Sequence, residues 1–270
     1  MKRLFQIEFA KVKNTSYFWI FTILFLLFLL SIPIGSKYAI AKMAENTMDL
    51  NGIDLYRLPL FDFVDIWQNL TWVYKFGAII ISFIIVISVA NEYRYGTAKQ
   101  NVIDGLSRKE FLLSKITLIL FLSAIISVGV LLIGLIMGFS WSAVIEFKYI
   151  IRNIEFVAAY FVVLVGTQIF AMLITLIIRK PGIVILMLLF YFFFIEGLAY
   201  VFIKYKYELP LVSNLLPLRG MSEIISNPMP KYWFREVYTN IQFKHVLFTL
   251  GHIGLYTYLC FRYFLKKDIR

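Results

Sequence analysis

Charged residues are scarce in this chain of 270 residues: Asp, Glu, Lys and Arg make up 16% of it, against roughly 25% in a soluble domain. With 61% hydrophobic and 18% aromatic residues, that scarcity excludes an ordinary water-soluble globule and reads as a membrane protein. A single cysteine, Cys260, excludes both an intramolecular disulfide and a cysteine-based metal cluster; inside a hydrophobic run it reads as a small packing residue. The two histidines, His245 and His252, stand about 10 Å apart along a helix. They cannot clasp one metal without a third element, and no H-E-x-x-H occurs. No G-x-x-x-x-G-K-[ST] is present, so the chain lacks the loop that cradles nucleotide phosphates, and no set of nucleophile, base and metal argues for an enzyme. Low-complexity tracts, soluble linkers and fixed-period repeats are missing too, which leaves residues 1–270 as a single membrane domain. The net charge of +11 would suggest nucleic acid for a soluble protein. In a membrane protein it points instead to basic loops that orient the spans and meet anionic lipid, with no nucleic acid partner.

What is present is long apolar runs. A helix needs about 20 apolar residues to cross the hydrocarbon, and six stretches qualify with short extensions: about 17–34, 73–91, 116–139, 156–178, 182–203 and 245–263. The expected fold is therefore all-α, a polytopic membrane protein with six transmembrane helices. An even number puts both termini on one side. The segments on that side are more than twice as dense in Lys and Arg as the others, which predicts cytoplasmic termini in a cytoplasmic membrane. Lys2, Arg3 and the stretch Ala39-Ile40-Ala41 imitate a signal peptide. The basic lead and the apolar run of about 18 residues are too long for one, so this stretch reads as a retained span.

Ahead of the first span, residues 1–13 wind into a helix with Met1, Leu4, Phe5, Phe9 and Val12 on one arc, and Lys2, Gln6, Lys11 and Lys13 mostly opposite. That suits a helix lying in the membrane interface, although a basic leader that merely sets topology reads equally well. Glu8 falls within the apolar arc, against the pattern.

The polar segment between the second and third spans is more deliberate. Ser107-Arg108-Lys109-Glu110 has the S-x-x-E spacing of a capping box and opens a helix that runs into the third span. Gly105 suits the end of the preceding segment. That segment, 92–104, forms a short helix with Tyr95, Ala98, Val102 and Leu106 on one face and Arg94, Lys99, Gln100, Asn101 and Asp104 mostly elsewhere. It is either a lever for a soluble partner or an ordinary solvated loop.

Over these residues, Asn91-Glu92-Tyr93-Arg94-Tyr95-Gly96-Thr97 through Ser107-Arg108 to Lys115, the chain resembles the ABC-2 type ABC transporter permeases. Glu92, Gly96, Thr97, Ser107, Arg108 and Lys115 match the family's pattern position by position. The Arg179-Lys180-Pro181-Gly182 turn, Leu216-Pro217-Leu218 and the ending from Phe261 to Asp268 also look like it. The resemblance implies an N-terminal interfacial helix and a cytoplasmic coupling helix between spans two and three. In this reading Glu92 to Leu106, with Arg94, Lys99, Val102 and Gly105, docks on a separate ATP-binding subunit. ATP and Mg would sit in that partner and no cofactor in this chain, and a second permease copy or related permease would complete the pathway of an exporter. A lipid or amphipathic peptide entering laterally is a plausible cargo. A variant of this reading has the permease act on a partner protein instead.

Glu196 lies deep in the fifth apolar stretch. An intramembrane carboxylate is a functional candidate, as a gate or ion site, or else a hydrogen-bonded group joining helices near Tyr191, Tyr200 or Gln168. The former supports an alternative function, a self-sufficient secondary carrier or channel. Gly134 and Gly138 fit the small-xxx-small pattern of close helix packing. In the first outer loop Glu45, Asp49, Asp54, Asp62 and Asp65, with Trp67 and Trp72, form either a receiving surface for a cationic substrate or solvated charges beside an interfacial aromatic belt. The apolar stretch 209–225 is expected to fold back as short helices whose backbone must be buried in protein or line a wet cavity.

Overall fold

The computed structural model describes residues 2–46, 60–234 and 240–266, and within them the chain is helical. In order, the helices are α1 (Lys2–Lys13), α2 (Ser16–Asn46), α3 (Ile66–Tyr74), α4 (Ala78–Arg94), α5 (Thr97–Ile103), α6 (Arg108–Trp141) and α7 (Phe147–Ile150). They continue with α8 (Glu155–Ile178), α9 (Pro181–Phe190), α10 (Glu196–Val201), α11 (Pro210–Ser213), α12 (Arg219–Ser222), α13 (Met229–Phe234) and α14 (Phe243–Lys266). Among the described residues five stretches are long and apolar enough to cross a membrane: Ser16–Ser36, Ile66–Arg94, Arg108–Trp141, Phe147–Ile178 and Pro181–Lys206. The protein is thus an all-α, multi-pass membrane protein. α14 has 24 residues, enough length for a span, but its polar and basic residues keep it out of that group.

The bundle is built around α8, which packs against α4, α6 and α14. Its side chains Tyr160, Leu164, Gln168, Met172 and Leu176 are fully buried, and their spacing of four keeps them on one face. Polar groups inside the bundle bond across helices, since the hydrocarbon offers no water. The Gln168 amide donates to Ser123 Oγ at 2.8 Å, Tyr160 donates to the Tyr74 carbonyl at 3.4 Å, and Tyr74 donates to the Leu29 carbonyl at 2.8 Å. α14 contributes a buried stripe of Thr249, His252, Tyr256, Cys260 and Phe264, so Cys260 is the packing residue its setting suggested. The spans Ser16–Ser36 and Pro181–Lys206 instead leave most of their apolar side chains uncovered by the chain.

Two sequence expectations change here. Gly134 and Gly138 do not bring two helix backbones together. A Cβ at Gly134 would lie 2.6 Å from the Trp67 ring, and one at Gly138 would lie 2.3 Å from the Phe63 ring, so the pair makes a seat on α6 for two aromatic side chains. Trp67 is accordingly no interfacial-belt residue: it is fully buried and donates to the Ile150 carbonyl at 2.8 Å. Gly138→Leu is expected to destabilise the bundle by about 1–3 kcal/mol through overpacking, whereas Gly129→Leu, at a position with nothing within 4 Å, should be near neutral. Thermal unfolding of the two variants in one detergent checks this, and equal midpoints would refute the seat.

Candidate functional site

At one end of the bundle lie α1, α5, the turn between α8 and α9, and the end of α14. The segment between the second and third spans is shaped by backbone rules. α4 runs on to Arg94, and the chain then breaks at Gly96 with φ +69°, a left-handed conformation that glycine adopts without steric cost. α5 follows, seven residues long, and Gly105 with φ +98° ends the segment. α6 then starts with the capping box in full: the Ser107 backbone N–H donates to Glu110 Oε2 at 2.9 Å, and the Glu110 N–H donates to Ser107 Oγ at 3.2 Å.

The expected amphipathic face is only partly realised. Ala98 is buried and Leu106 half-buried, but Tyr95 is 68% exposed, because it caps the end of α4 instead of belonging to α5. The Val102 side chain lies outside the described residues, as do Asp49, Asp54 and the side chain of Glu45. Arg94 and Lys99 are exposed, with Arg94 set against the Tyr95 ring. The Thr97 hydroxyl donates to the Glu92 carbonyl at 3.4 Å.

Glu92 and Lys115, on different spans, meet inside the protein. Lys115 is fully buried. Its ammonium donates to Glu92 Oε1 at 2.6 Å and to Ser88 Oγ at 3.4 Å, and it pairs with Glu8 of α1. Lys11 completes the group, 2.9 Å from Glu8 Oε1 and 3.5 Å from Glu92 Oε1. Two cations and two carboxylates leave the cluster neutral, which is how charge is accommodated away from water. Glu8, which breaks the apolar arc of α1, is the residue that sequence reasoning missed, and the break was itself the signal. The rest of the arc packs on α6, with the Phe5 and Phe9 rings 4.9 and 5.2 Å from that of Phe121. Burial pushes the Glu8 carboxyl up, and the ammonium groups of Lys115 and Lys11 more than reverse this, holding it below its ordinary value.

The same end is tied together elsewhere. Arg108 donates to the Leu265 carbonyl, in the last described turn of α14, at 3.0 Å. Arg179, with φ +61° in the turn after α8, stacks 4.5 Å over the Tyr93 ring. Between α1 and the segment after α5 a cleft of about 560 Å³ opens, lined among others by Arg3, Lys11, Asp104 and Glu110.

Glu196 belongs to the opposite end. It follows a π-helical turn, Tyr191–Ile195, is fully buried, and its Oε1 accepts from the backbone N–H groups of Leu218 at 2.6 Å and Arg219 at 2.9 Å. Its partners are therefore neither Tyr191, Tyr200 nor Gln168 but the first turn of α12. At the other end of α12, buried Lys75 donates to the carbonyls of Ser222 at 3.1 Å and Ile225 at 2.9 Å. A carboxyl group at its start and an amino group at its end thus take up backbone N–H and C=O groups that so short a helix leaves without partners. α14 supplies further partners: Thr249 bonds the Met221 carbonyl at 3.1 Å, His252 Nε2 lies 3.3 Å from the Leu215 carbonyl, and Tyr256 bonds the Pro217 carbonyl at 3.3 Å. Thus the stretch 209–225 does fold back as short helices, and side chains of α4's approach, α10 and α14 satisfy its buried backbone, as the membrane requires. His252 is a packing residue, and among the described residues no group of His, Cys, Asp or Glu could hold a metal ion. At this same end Asp65 pairs with Lys231 and accepts from Tyr232 at 3.2 Å, and Asp62 accepts from the Ala143 N–H at 3.2 Å. These carboxylates are engaged in holding loops together.

A family model described as "Protein of unknown function (DUF2705)" matches residues 37–270, most of the chain, so the chain belongs to that family. No curated protein matches it.

Proposed function

We propose that this DUF2705 member is the membrane subunit of an ATP-driven exporter, coupled through α5 to a separate ATP-binding subunit and completed by a second copy or a related permease. The observation that carries the reading is the buried Glu92–Lys115 pair. It joins the helices on either side of α5 at the point where both leave the bundle. A force on α5 therefore passes to two spans at once instead of being lost in a loose loop. The likeness of residues 91–115 to the ABC-2 permeases supplies the identity of the partner, and the exposed Arg94 and Lys99 supply charge for docking. In this reading α1 lies along the cytoplasmic interface, α14 is a sixth span, and both termini are cytoplasmic.

ATP-driven closure of the partner would push α5, and the spans would move between inward-open and outward-open arrangements. The chain performs no covalent chemistry of its own. The bonds from Glu196 to α12 give that carboxylate a holding role at the outer mouth, which favours the exporter over a carrier that uses it as an ion site.

A mild-detergent pull-down from the native membrane, analysed by mass spectrometry and ATPase assay, tests the reading. An ATP-binding subunit is expected with the wild type and is expected to be lost from a folded Arg94→Glu, Lys99→Glu variant. Recovery of the chain without any ATP-binding protein, or equal recovery of one with both forms, would overturn it.

A further inference from the structure

The Glu92–Lys115 end of the bundle carries a second feature, unrelated to the ion cluster. Between the ends of α8 and α14 runs a groove of about 470 Å³ lined by Leu173, Ile177, Leu259, Arg262, Tyr263 and Lys266. Its composition changes along its length. Leu259, Arg262 and Lys266 fall at i, i+3 and i+7 on α14, hence on one face, with the leucine about 10 Å deeper than Lys266 by helix rise. Leu173 and Ile177 of α8 continue the deep, apolar part. Arg262 and Lys266 are exposed, and among the described residues no carboxylate pairs with either. In the last described turn of α14 it is Arg108 that donates to a backbone carbonyl, that of Leu265.

We propose that this groove binds one anionic phospholipid, its phosphate between Arg262 and Lys266 and an acyl chain along Leu173, Ile177 and Leu259. The order of chemistry matches the ligand: an apolar floor at hydrocarbon depth, then two cations where α8 ends and the chain leaves the membrane. Basic pockets between spanning helices attract anionic headgroups in this way. A zwitterionic lipid would fill the apolar part equally well but leave the two cations without a net countercharge, so selectivity rests on the charged pair. A free phosphate would forfeit the apolar contact, which makes the lipid the better occupant.

The test compares wild type with Arg262→Gln, Lys266→Gln in nanodiscs of phosphatidylcholine with and without phosphatidylglycerol, following thermal midpoint and, after extraction, retained lipid by native mass spectrometry. Wild type is expected to retain phosphatidylglycerol selectively and gain stability from it, and the double variant to lose that preference by about tenfold or more. Leu259→Trp, which fills the groove and keeps both charges, should lose retention as well. Lys148→Gln, Arg152→Gln removes the same charge from exposed positions at the opposite end and should keep the preference. A preference that survives in the double variant, or that falls equally in the Lys148 and Arg152 control, would overturn the assignment.

Discussion

Lys115→Met is expected to destabilise the folded chain by about 3–5 kcal/mol, the scale of breaking a buried ion pair by removing one partner. Against a total stability of about 5–15 kcal/mol, that is a large fraction, and monodisperse protein should fall sharply in yield. The cause is specific. Glu8 and Glu92 would remain buried, at 4% and 6% exposure, with only the half-exposed Lys11 to answer them. Removing the carboxylates as well should therefore return most of the loss: Glu8→Leu, Glu92→Met, Lys115→Met leaves no buried unpaired charge, only Lys11, whose side chain is 40% exposed and reaches water, and apolar replacement of buried charged groups is often neutral.

Thermal unfolding in detergent distinguishes the cases, and a Lys115→Met protein as stable as wild type would refute the cluster's role. A pH limb follows from the depressed Glu8 carboxyl. A carboxyl that titrates lower in the folded than in the unfolded protein contributes fully above the ordinary carboxylate range. That contribution is lost as the pH falls through the depressed folded value. Wild type should accordingly lose stability in acid more steeply than the triple variant.

Gly220→Ala should unseat the re-entrant stretch. A Cβ there would lie 2.1 Å from the Asn214 carbonyl oxygen and 2.8 Å from its carbon. Both are backbone atoms, so no side-chain rotation relieves the clash. Overpacking costs about 1–3 kcal/mol and more where backbone must shift. Here the shift would pull α12 away from Glu196 at one end and Lys75 at the other. Cys260 is buried, so a thiol introduced at buried Ser222 reports the movement. In a Ser222→Cys background, Gly220→Ala should raise labelling by a membrane-impermeant maleimide by about tenfold or more, as local opening becomes easier. Unchanged labelling would mean that the stretch is not held by this close approach.

The parts of the protein that depend on neighbouring residues were legible in the sequence. Ser107 and Glu110 announce their capping box because the motif is local, and Gly105 marks a break because positive φ has few other takers. The apolar runs mark the membrane helices for the same reason. The long-range pairs were not legible. Glu8 reads as a flaw in an apolar face until Lys115, over a hundred residues away, is brought beside it, and Gly134 and Gly138 read as a helix contact until Phe63 and Trp67 fill the space. Tyr95 was misplaced for a subtler reason: a three- or four-residue spacing assumes one unbroken helix, and the chain breaks immediately after it. Glu196 was recognised by its setting alone, since nothing local to it names Leu218 and Arg219 as its partners.

The π-helical turn at Tyr191–Ile195 has a consequence for phase. Val184 and Leu188 face the core, four residues apart, and so do Glu196 and Tyr200, but eight residues separate Leu188 from Glu196. In a uniform α-helix that separation would rotate Glu196 about 80° off the buried face. A π turn takes up one extra residue, which leaves an effective seven and a mismatch of about 20°. The turn works as a phase corrector: below it the helix faces one set of neighbours, and above it the same side is returned to the core so that the Glu196 carboxyl, not Ile195, meets the loop. A chain shortened by one residue here could restore a regular helix and still present its acid to the same partners.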